Sequence, residues 1–489
     1  MPHERRTIAI IGAGFCGTMM AVRLLKAEAA GMYDVVLINR PQPAGPGVDS
    51  QLSAYSTSLA RGLAYGTNSA DHLLNVPAGR MSAFDELPHD FEAYLQRRAV
   101  AADGGGFVAR KLYGDYLRST LDEVTARALS KPDAPRFFMK HATVTTIDRH
   151  ADGRLQLAFN EGGGQGRLLA DRVVLALGNF SPADIGVPES SFYDSQRYLR
   201  DPWQTGALSG IDPSRPVVLI GTGLTMLDVA ATLKRRAAAG VPLSLIAISR
   251  RGLLAQPHRL HAESPTLLAP PPDMFDVCSA RHYLRSVRRA IHQHELGGGN
   301  WRDIVASLRP ITPSLWASLP EIERRRFLRH VRPYWDSHRH RAAPESAALL
   351  ADLIASGELK ILAANLVRIS EVAGSARVTI RLRSRAATID IHAAHVVNCT
   401  GPSSDIQAEP LLASMQCQGM ISPDALRLGL NVADDFRVTN AQGQPTIGVY
   451  YVGPLLKARH WEATAVPELR KHVRAAADEV IRSLAFPAQ

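Results

Sequence analysis

The chain has 489 residues, of which 46% are hydrophobic and 21% are charged, and its formal net charge is +10. At roughly 100–200 residues per domain, this length predicts two or three domains, and the composition is typical of globular proteins. The cysteines Cys16, Cys278, Cys399 and Cys417 lie far apart, which excludes a disulfide framework, a cysteine zinc site and the paired cysteines of disulfide reductases.

Membrane and secretion signals are not evident in the sequence. No stretch of about 18 consecutive apolar residues occurs, so no membrane span is expected. The apolar run at 7–22 contains three glycines and lacks a small-residue cleavage pattern, which favours a strand, a turn and a helix over a signal peptide. We therefore expect a cytoplasmic protein.

Residues 7–38 predict a strand, a glycine turn, a helix and a second strand. In the turn, GAGFCG, Gly12 permits the tight bend, Gly14 lets the backbone approach a pyrophosphate, and Gly17 lets the helix pack on the strand. The helix N-terminus offers free N–H groups to the phosphates. We predict that this site binds FAD.

The end of the second strand departs from the usual pattern of such sites. Dinucleotide sites commonly place Asp or Glu there, where the carboxylate accepts hydrogen bonds from the ribose. This chain has Asn39, followed by Arg40. An asparagine oxygen still accepts a hydrogen bond, but it carries no charge. We therefore predict Asn39 as a weaker ribose ligand.

The segment that follows combines a loop, two helices and a sheet. Residues 41–58 are rich in Pro, Gly and Ser and predict a loop, and helices are predicted at 90–98 and 114–129. The stretch 137–174 alternates apolar and polar residues and predicts a small antiparallel sheet. A buried strand ending at Gly178 then returns the chain to its nucleotide domain.

A second strand–turn–helix–strand unit begins near residue 217. Its turn, GTGLTM, contains Gly221, Gly223 and Thr225, and these residues predict a second dinucleotide site. Met226 stands where the third glycine is usual, so we expect the helix to lie farther from the strand. The same design occurring twice in one chain is a stronger signal than either copy.

The second unit ends in the sequence SRRG, with Arg250 and Arg251 where an NAD site would have an acidic residue. Arginine at this place suits a ribose 2′-phosphate, which it binds by charge-assisted hydrogen bonds. These residues predict NADPH as the second cofactor. A solvated arginine pair with no ligand is the alternative.

The remaining strands complete the domain organisation. Strand runs are predicted at 358–366, 377–382 and 395–401, the last ending at Gly401, and a C-terminal helix begins near 463. The predicted fold class is α/β with two Rossmann-like dinucleotide-binding domains and a helical insertion. We assign residues 1–208 and 401–489 to the FAD domain and 209–400 to the NADP domain, with the insertion at 262–357.

The insertion is rich in arginine. Residues 281–341 contain 13 Arg, no Lys and 5 acidic residues. Arg325, Arg329 and Arg332 have the i, i+4, i+7 spacing of one helix face, so we predict them as ligands of an anionic substrate. A hydrated surface is the alternative. His338 and His340 have a spacing that does not suit a metal on a helix, and no metal is expected.

Several segments, in order from residue 7 to about 475, resemble a family of bacterial FAD/NAD(P)-binding proteins. The segments include GLAYGT, HLLNVPAGRMSAF, FVARKLYGDYL, IGTGLTMLD, SRRGLLAQPHR and WEATAVPELR. This family is similar to the flavin monooxygenases with two dinucleotide sites, which include lysine, ornithine and aspartate N-hydroxylases. The resemblance implies FAD and NADPH as cofactors and supplies no substrate.

The resemblance also implies roles for individual residues. It places two groups of residues near the flavin. The first consists of Asn75, Met81 and Arg110, and the second of Gly453 and the segment from Trp461 to Thr464. A helix beginning near Thr464 would direct its N-terminus at the flavin, where negative charge develops on reduction. Core packing is the alternative for Met81 and Trp461.

Three functions are consistent with these patterns. The first is an FAD- and NADPH-dependent monooxygenase that N-hydroxylates a small amine or amino acid; no catalytic side chain is assigned. The second is a reductase that passes electrons to a partner or quinone, and the third is a nucleotide-binding sensor or scaffold. No nucleic-acid-binding signature accompanies the arginines. The sequence leaves the oligomeric state open.

Overall fold

The computed structural model describes residues 5–27, 33–41, 59–67, 69–100, 104–131, 133–188, 190–204, 206–260, 266–384 and 387–485. The chain divides into two compact units. The first unit comprises Met1–Asn68, Pro77–Phe180 and Ser404–Gln489, and the second comprises Ser69–Val76 and Ser181–Ser403. The loop predicted at 41–58 lies outside the described residues from position 42 onward.

The secondary structure alternates strands and helices along the chain. The strands are β1 Arg6–Ile11, β2 Tyr33–Asn39, β3 Arg136–His141, β4 Thr143–Arg149, β5 Leu155–Glu161, β6 Gly164–Ala170, β7 Arg172–Leu175, β8 Tyr198–Leu199, β9 Val217–Ile220, β10 Leu245–Ser249, β11 Leu359–Val372, β12 Ser375–Leu382, β13 Thr388–Ala393, β14 His395–Asn398, β15 Arg437–Thr439 and β16 Pro445–Tyr451. The α-helices are α1 Phe15–Lys26, α2 Gly62–Tyr65, α3 Asp90–Arg97, α4 Arg110–Leu129, α5 Leu224–Arg236, α6 Ala280–Leu296, α7 Trp301–Ser307, α8 Thr312–Ser318, α9 Glu321–Arg326, α10 Arg332–Arg339, α11 Pro344–Ala355, α12 Pro410–Cys417 and α13 Val466–Ala485.

A six-stranded sheet with the order β15-β16-β7-β1-β2-β3 organises the first unit, and only the β15–β16 pair is antiparallel. Parallel strands covered on both faces are near-continuous hydrophobic runs. Accordingly Ile8, Ile10 and Leu37 are fully buried. Helix α1 packs against α4 and α13, and its Met20 and Leu24 are fully buried. The strands and α1 therefore form one core.

The stretch 137–174, predicted as one antiparallel sheet, is divided between two sheets. Strands β4, β5 and β6 form a three-stranded antiparallel sheet, as predicted. The prediction was wrong for β3, which pairs in parallel with β2, and for β7, which belongs to the large sheet. Because β3 is an edge strand, its alternating sequence resembles that of a strand in a two-faced antiparallel sheet.

A seven-stranded sheet with the order β13-β12-β11-β10-β9-β14-β8 organises the second unit. Strands β8, β14, β9, β10 and the first part of β11 are parallel, whereas the rest of β11 pairs with β12 and β12 with β13 in antiparallel fashion. The neighbours β14-β9-β10-β11 repeat the arrangement β7-β1-β2-β3 of the first unit. The predicted α/β fold with two Rossmann-like units is confirmed.

The unit boundaries differ from those expected. Residues 181–208 belong to the second unit, because β8 pairs with β14 there, Tyr198 opposite Val396. Residues 69–76 also belong to it: His72 Nε2 lies 2.8 Å from Thr232 Oγ1 of α5. The glycine turns and strand runs used for the prediction give no signal for such short pairings.

The region predicted as a helical insertion contains α6 to α11, between β10 and β11. Its last part lies along the loop after β10. The Gln256 N–H donates to the Ser337 carbonyl at 2.9 Å, and the Ala342 N–H donates to the Gln256 carbonyl at 3.0 Å. Of the helices that the structure describes, none is both long and apolar enough to cross a membrane.

Candidate dinucleotide sites

The first glycine turn leaves no room for side chains at two of its positions. Gly12 has φ +106°, and a Cβ there would lie 2.3 Å from the Ala176 carbonyl oxygen. The Gly12 N–H donates to the Ile38 carbonyl at 2.8 Å, which ties the turn to β2. A Cβ on Gly17 would lie 1.7 Å from the Gly12 carbonyl oxygen. Sterics therefore require glycine at both positions.

The second glycine of this turn, Gly14, leaves space for a ligand. It is the N-cap of α1 and provides no side-chain cap, so the first N–H groups of the helix remain for an anion. A Cβ on Gly14 would meet only the Cα of Gly62, at 3.7 Å. Gly62 itself has φ +54°, and a Cβ there would approach the Gly14 Cα to 2.9 Å. Gly62 thus keeps open the space beside Gly14, which we call the cradle. The spacing of the first motif does not reveal this role.

The ribose-binding position at the end of β2 is more charged than the sequence suggested. Asn39 is buried there. The next residue, Arg40, forms an ion pair with Glu409, which is buried at the N-terminus of α12. Glu409 therefore brings a carboxylate from a distant part of the chain to the side chain that follows β2. No local pattern indicates this residue.

The residues predicted near the flavin occupy various environments. Six of them belong to the first unit. Met81 and Trp461 are buried, and Thr464 is exposed. Arg110 is the first residue of α4, Gly178 follows β7, and Gly453 precedes the 3₁₀ turn Pro454–Ala458. Helix α13 begins at Val466, two residues after Thr464. Asn75 belongs to the second unit, where its carbonyl accepts a hydrogen bond of 3.0 Å from His258 Nε2. The flavin contacts themselves stay predictions.

An aromatic cluster lies beside the first turn. The Tyr113 ring is 6.4 Å from that of Phe15, the first residue of α1, and 4.7 Å from that of Tyr65. Burial raises the pKa of Tyr113 and of Tyr65, and it raises the pKa of the Cys16 thiol to about 12. Cys16 is therefore a protonated core residue at neutral pH and not a nucleophile.

The second glycine turn repeats the backbone geometry of the first. Gly221 has φ +116°, and its N–H donates to the Ile248 carbonyl at 2.8 Å. Gly223 is the N-cap of α5 with φ −90° and ψ −163°, close to the −80° and −163° of Gly14. A Cβ on Gly223 would meet nothing within 4 Å. Each unit thus has an open helix N-terminus at the equivalent position of its glycine turn.

Met226 shows how the second turn accommodates a side chain where the first has Gly17. Its side chain is fully buried in a core with Leu219, Leu233 and Leu353. The first N–H···O bond of the helix is 3.3 Å here, from Leu227 to Gly223, against 3.0 Å for the corresponding bond of α1. Thr225, also predicted at this site, lies in the first turn of α5.

The loop after β10 is held to the glycine turn by a hydroxyl network. Thr222 Oγ1 lies 2.9 Å from Ser249 Oγ and 2.6 Å from the Leu253 carbonyl oxygen. The Gly252 N–H donates to Ser249 Oγ at 3.0 Å. Arg250 is therefore presented from a fixed loop, and its side chain is exposed. Thr222 was not predicted, because a threonine within a glycine motif has no distinctive spacing.

Arg251 and Gly401 complete the second site. The Arg251 guanidinium lies over the Tyr334 ring, 5.1 Å from its centroid, and donates to Tyr334 Oη and to the Arg329 carbonyl, each at 3.2 Å. Arg251 is therefore held by contacts within the chain, whereas Arg250 is exposed, and binding of a ligand by the pair stays a prediction. Gly401 follows β14 and a Cβ there would meet nothing within 4 Å, as at Gly178 after β7.

The three arginines predicted as substrate ligands do not share a continuous α-helix. A π-helical turn, Phe327–Val331, separates α9 from α10, so the assumed i, i+4, i+7 face is interrupted. Arg325 is paired with Glu321 at 2.7 Å and Arg332 with Asp336 at 3.1 Å. Within the described residues, no group of three His, Cys, Asp or Glu side chains suits a metal ion.

A histidine pair near Trp461 predicts acid sensitivity. The ring centroids of His460 and His472 are 4.6 Å apart, and Phe436 lies 6.0 Å from His472. Burial, with the charges of His460 and Lys471, lowers the pKa of His472 to about 4. The unfolded chain binds this proton near its ordinary pKa of about 6.5 and the folded chain only near 4, so stability falls as pH decreases through that window.

We expect the free energy of unfolding to decrease by up to about 1.4 kcal/mol per pH unit from this group between pH values of about 6.5 and 4. His472→Phe should flatten that dependence, as followed by urea unfolding at several pH values. His89, whose side chain is 81% exposed, provides the control variant His89→Gln. Equal pH slopes for His472→Phe and the wild type would contradict the assignment.

Comparisons with known proteins agree with this geometry. Residues 9–180 match the profile of a family described as FAD-NAD(P)-binding. The search of curated proteins found no match. The structure is similar to the ornithine hydroxylase of Pseudomonas aeruginosa, with TM-score 0.63 and 14% identity over 98% of this chain and 100% of that chain. The L-lysine 6-monooxygenase of Pseudomonas syringae gives TM-score 0.60 and 19% identity over 98% and 100%.

A third similar structure is the ornithine N-hydroxylase of Kutzneria sp. 744, solved with reduced FAD, NADP⁺ and L-ornithine. It gives TM-score 0.59 and 15% identity over 99% of each chain. Likeness at this level of identity shows the fold. The chain therefore has the two-unit fold of these flavoenzymes, and its residues 9–180 match an FAD-NAD(P)-binding domain, as the first glycine motif predicted.

Proposed function

We propose that the protein is an FAD-dependent, NADPH-using monooxygenase that hydroxylates the nitrogen of a small amine or amino acid. The duplicated turn supports this proposal, because two open helix N-termini, at Gly14 and Gly223, suit one dinucleotide each. The similar structures support the chemistry, since they are named for ornithine and lysine as substrates. The reductase and sensor alternatives remain as outcomes of the test.

The first unit fits FAD. Gly14 and Gly62 form a cradle that a Cβ would narrow, and the N–H groups of α1 face it without a side-chain cap. Gly12 and Gly17 hold that helix against β1. Glu409 and Asn39 offer acceptors near the end of β2 for the ribose. FAD, when bound and reduced, supplies the electrons for oxygen activation.

The second unit fits a nicotinamide dinucleotide with a 2′-phosphate. Gly221 shapes the turn and Gly223 leaves the helix N-terminus open. Arg250 is exposed directly after β10, where an NAD site would have an acidic residue. The positive charge of an arginine at this place attracts the negative charge of the 2′-phosphate.

The proposal is tested by anaerobic titration of the purified protein with NADPH and, separately, NADH, recorded as the visible absorbance of the flavin. We expect faster bleaching by NADPH. Ornithine, lysine and cadaverine, named for the similar structures, then serve as trial substrates under air. A monooxygenase consumes NADPH and oxygen and yields a hydroxylated amine.

Two other results would redirect the assignment. Bleaching by NADPH with electron transfer to a quinone, and no hydroxylated product from any amine, would favour the reductase. A protein that binds the dinucleotides but whose flavin is bleached by neither NADPH nor NADH would exclude both oxidoreductase functions and leave the nucleotide-binding sensor or scaffold. A cytoplasmic location stays a prediction.

Replacing Arg250 should change the cofactor preference. For Arg250→Gln we expect the affinity for NADPH to fall about 10- to 100-fold, because charge-assisted hydrogen bonds of this kind contribute about 1.5–3 kcal/mol. Affinity for NADH should remain the same. Stopped-flow measurement of flavin reduction at several concentrations of each cofactor gives both values. An equal loss for NADPH and NADH would contradict a role at the 2′-phosphate.

The substrate assignment narrows to one of the three predicted arginines. Arg325 and Arg332 are paired with carboxylates of their own helices, whereas Arg329, within the described residues, has no such ion pair. We expect Arg329→Gln to raise the KM for an amino acid substrate about tenfold while flavin content is unchanged. Arg332→Gln is the matched comparison. An unchanged KM in Arg329→Gln would leave the arginines as a hydrated surface.

A further inference from the structure

Arg251 is held by the helical insertion rather than by the domain that carries it. Its guanidinium lies over the Tyr334 ring, and it donates one N–H to the Tyr334 hydroxyl and one to the Arg329 carbonyl. An arginine has five N–H donors, so three are left for a ligand. This group is therefore oriented before any ligand binds.

The Arg329 carbonyl cannot accept the hydrogen bond that a regular α-helix would give it. In an α-helix the carbonyl of residue 329 would accept from the N–H of residue 333, four positions later. Residue 333 is Pro333, which has no N–H, and the chain forms a π-helical turn just before it. The proline thus removes the usual i+4 donor from the backbone acceptor to which Arg251 donates.

The loop itself is fixed from two directions. Thr222 and Ser249 tie its first residues to the glycine turn. Further along, Ser337 Oγ donates to the Leu254 carbonyl at 2.5 Å, and the His258 N–H donates to the Ala342 carbonyl at 2.9 Å. Arg251 lies between these two attachments, so the insertion determines where its guanidinium points.

We propose that Tyr334 and the carbonyl of Arg329 form a clamp that positions Arg251 for the 2′-phosphate of NADPH, so that the helical insertion sets the cofactor preference; this inference rests on the proposed function. An unrestrained arginine samples many rotamers, and fixing one of them on binding lowers affinity. The clamp removes that cost. In this arrangement Arg250 and Arg251 act together, and Tyr334 is a positioning residue.

The test measures binding of NADP⁺ and of NAD⁺ to the FAD-loaded protein by isothermal titration calorimetry. We expect Tyr334→Ala to weaken NADP⁺ binding about fivefold with no change for NAD⁺. Tyr334→Phe keeps the ring and loses the hydroxyl, and should weaken NADP⁺ binding about twofold. Pro333→Ala restores an N–H that competes for the Arg329 carbonyl, and should also weaken only NADP⁺.

A double-mutant cycle separates positioning from general damage. If Tyr334 acts through Arg251, Tyr334→Ala should have no further effect in an Arg251→Gln background. Arg324→Gln is the matched control, because Arg324 also lies over an aromatic ring of the insertion, Trp316, and bonds to backbone carbonyls. It should bind both cofactors like the wild type.

Three outcomes would overturn the clamp. The first is an additive effect of Tyr334→Ala and Arg251→Gln, the second is an equal loss of NADP⁺ and NAD⁺ binding in Tyr334→Ala, and the third is unchanged NADP⁺ binding in Arg251→Gln. The third would leave the proposed function intact if Arg250→Gln still lost NADP⁺. A wild-type protein that binds NADP⁺ no better than NAD⁺ would overturn the NADPH assignment together with the clamp.

Discussion

Gly17→Ala is expected to yield a protein that does not retain FAD. The added Cβ would lie 1.7 Å from the Gly12 carbonyl oxygen and 3.3 Å from the Ala176 Cβ. Backbone atoms cannot turn aside as a flexible side chain can, so α1 must shift away from the glycine turn. Overpacking of this kind costs about 1–3 kcal/mol in stability. The shift also moves the helix N-terminus on which the pyrophosphate depends.

Two further variants separate the packing effect from the ligand effect. Gly14→Ala places a Cβ at an ordinary contact distance of 3.7 Å from the nearest backbone atom, so we expect normal stability. Because the methyl group narrows the space beside the helix N-terminus, we expect weak FAD binding. Gly186→Ala adds a Cβ where nothing lies within 4 Å and should resemble the wild type in both respects. Flavin absorbance per protein and urea unfolding measure the two effects. A Gly17→Ala protein with full flavin content would contradict the steric argument.

The glycine turns were predictable because their spacing reflects a local steric requirement. A turn that brings a helix N-terminus to a strand end needs φ values that only glycine adopts easily, and Gly12 and Gly221 have them, at +106° and +116°. The hydrophobic runs of β1 and β9 follow from burial on both faces of a parallel sheet. Each of these features depends on fewer than ten consecutive residues, so a single sequence is enough to predict it.

The parts that were not predicted depend on residues far apart in the chain. Glu409 reaches Arg40 across more than 360 positions, and Gly62 approaches Gly14 only because the chain folds back over the turn. Tyr334 likewise contacts Arg251 from the insertion. A single sequence gives no periodicity for such contacts. Arg325 and Arg332 do not share the predicted helix face for a related reason, since a π-helical turn before Pro333 interrupts the α-helix that the spacing assumed.

A buried carboxylate, Asp303, joins helices α6 and α7 of the insertion to the segment after β10. Asp303 in α7 has only 3% of its surface exposed. It accepts hydrogen bonds from Arg259 Nη2 at 2.6 Å, from His294 Nε2 at 3.2 Å and from the Thr266 N–H at 3.2 Å. Burial alone would raise the pKa of Asp303, but the bonds from Arg259 and His294 lower it overall. Its stabilising effect is therefore complete at neutral pH and is lost as pH falls through the folded pKa.

Asp303→Ala should destabilise the insertion by about 1–3 kcal/mol, because it removes the buried acceptor of the hydrogen bonds from Arg259, His294 and the Thr266 N–H. Since the insertion positions Arg251, the variant should also bind NADP⁺ more weakly while its first unit keeps FAD. Asp303→Asn, which retains the size and one acceptor, should lose less stability. Asp352→Ala removes an exposed carboxylate of the neighbouring helix α11 and should change stability by no more than about 0.5 kcal/mol.

Hydrogen exchange followed by mass spectrometry distinguishes this local effect from general unfolding. In Asp303→Ala, residues 266–342 and the loop 250–258 should exchange faster together, because the hydrogen bonds between Gln256, Ser337 and Ala342 join the two segments. Strands β1, β2 and β7 should exchange as in the wild type. Faster exchange in the insertion alone, with NADP⁺ binding unchanged, would mean that the loop holds Arg251 in place without the insertion, and the coupling between insertion and cofactor would have to be abandoned.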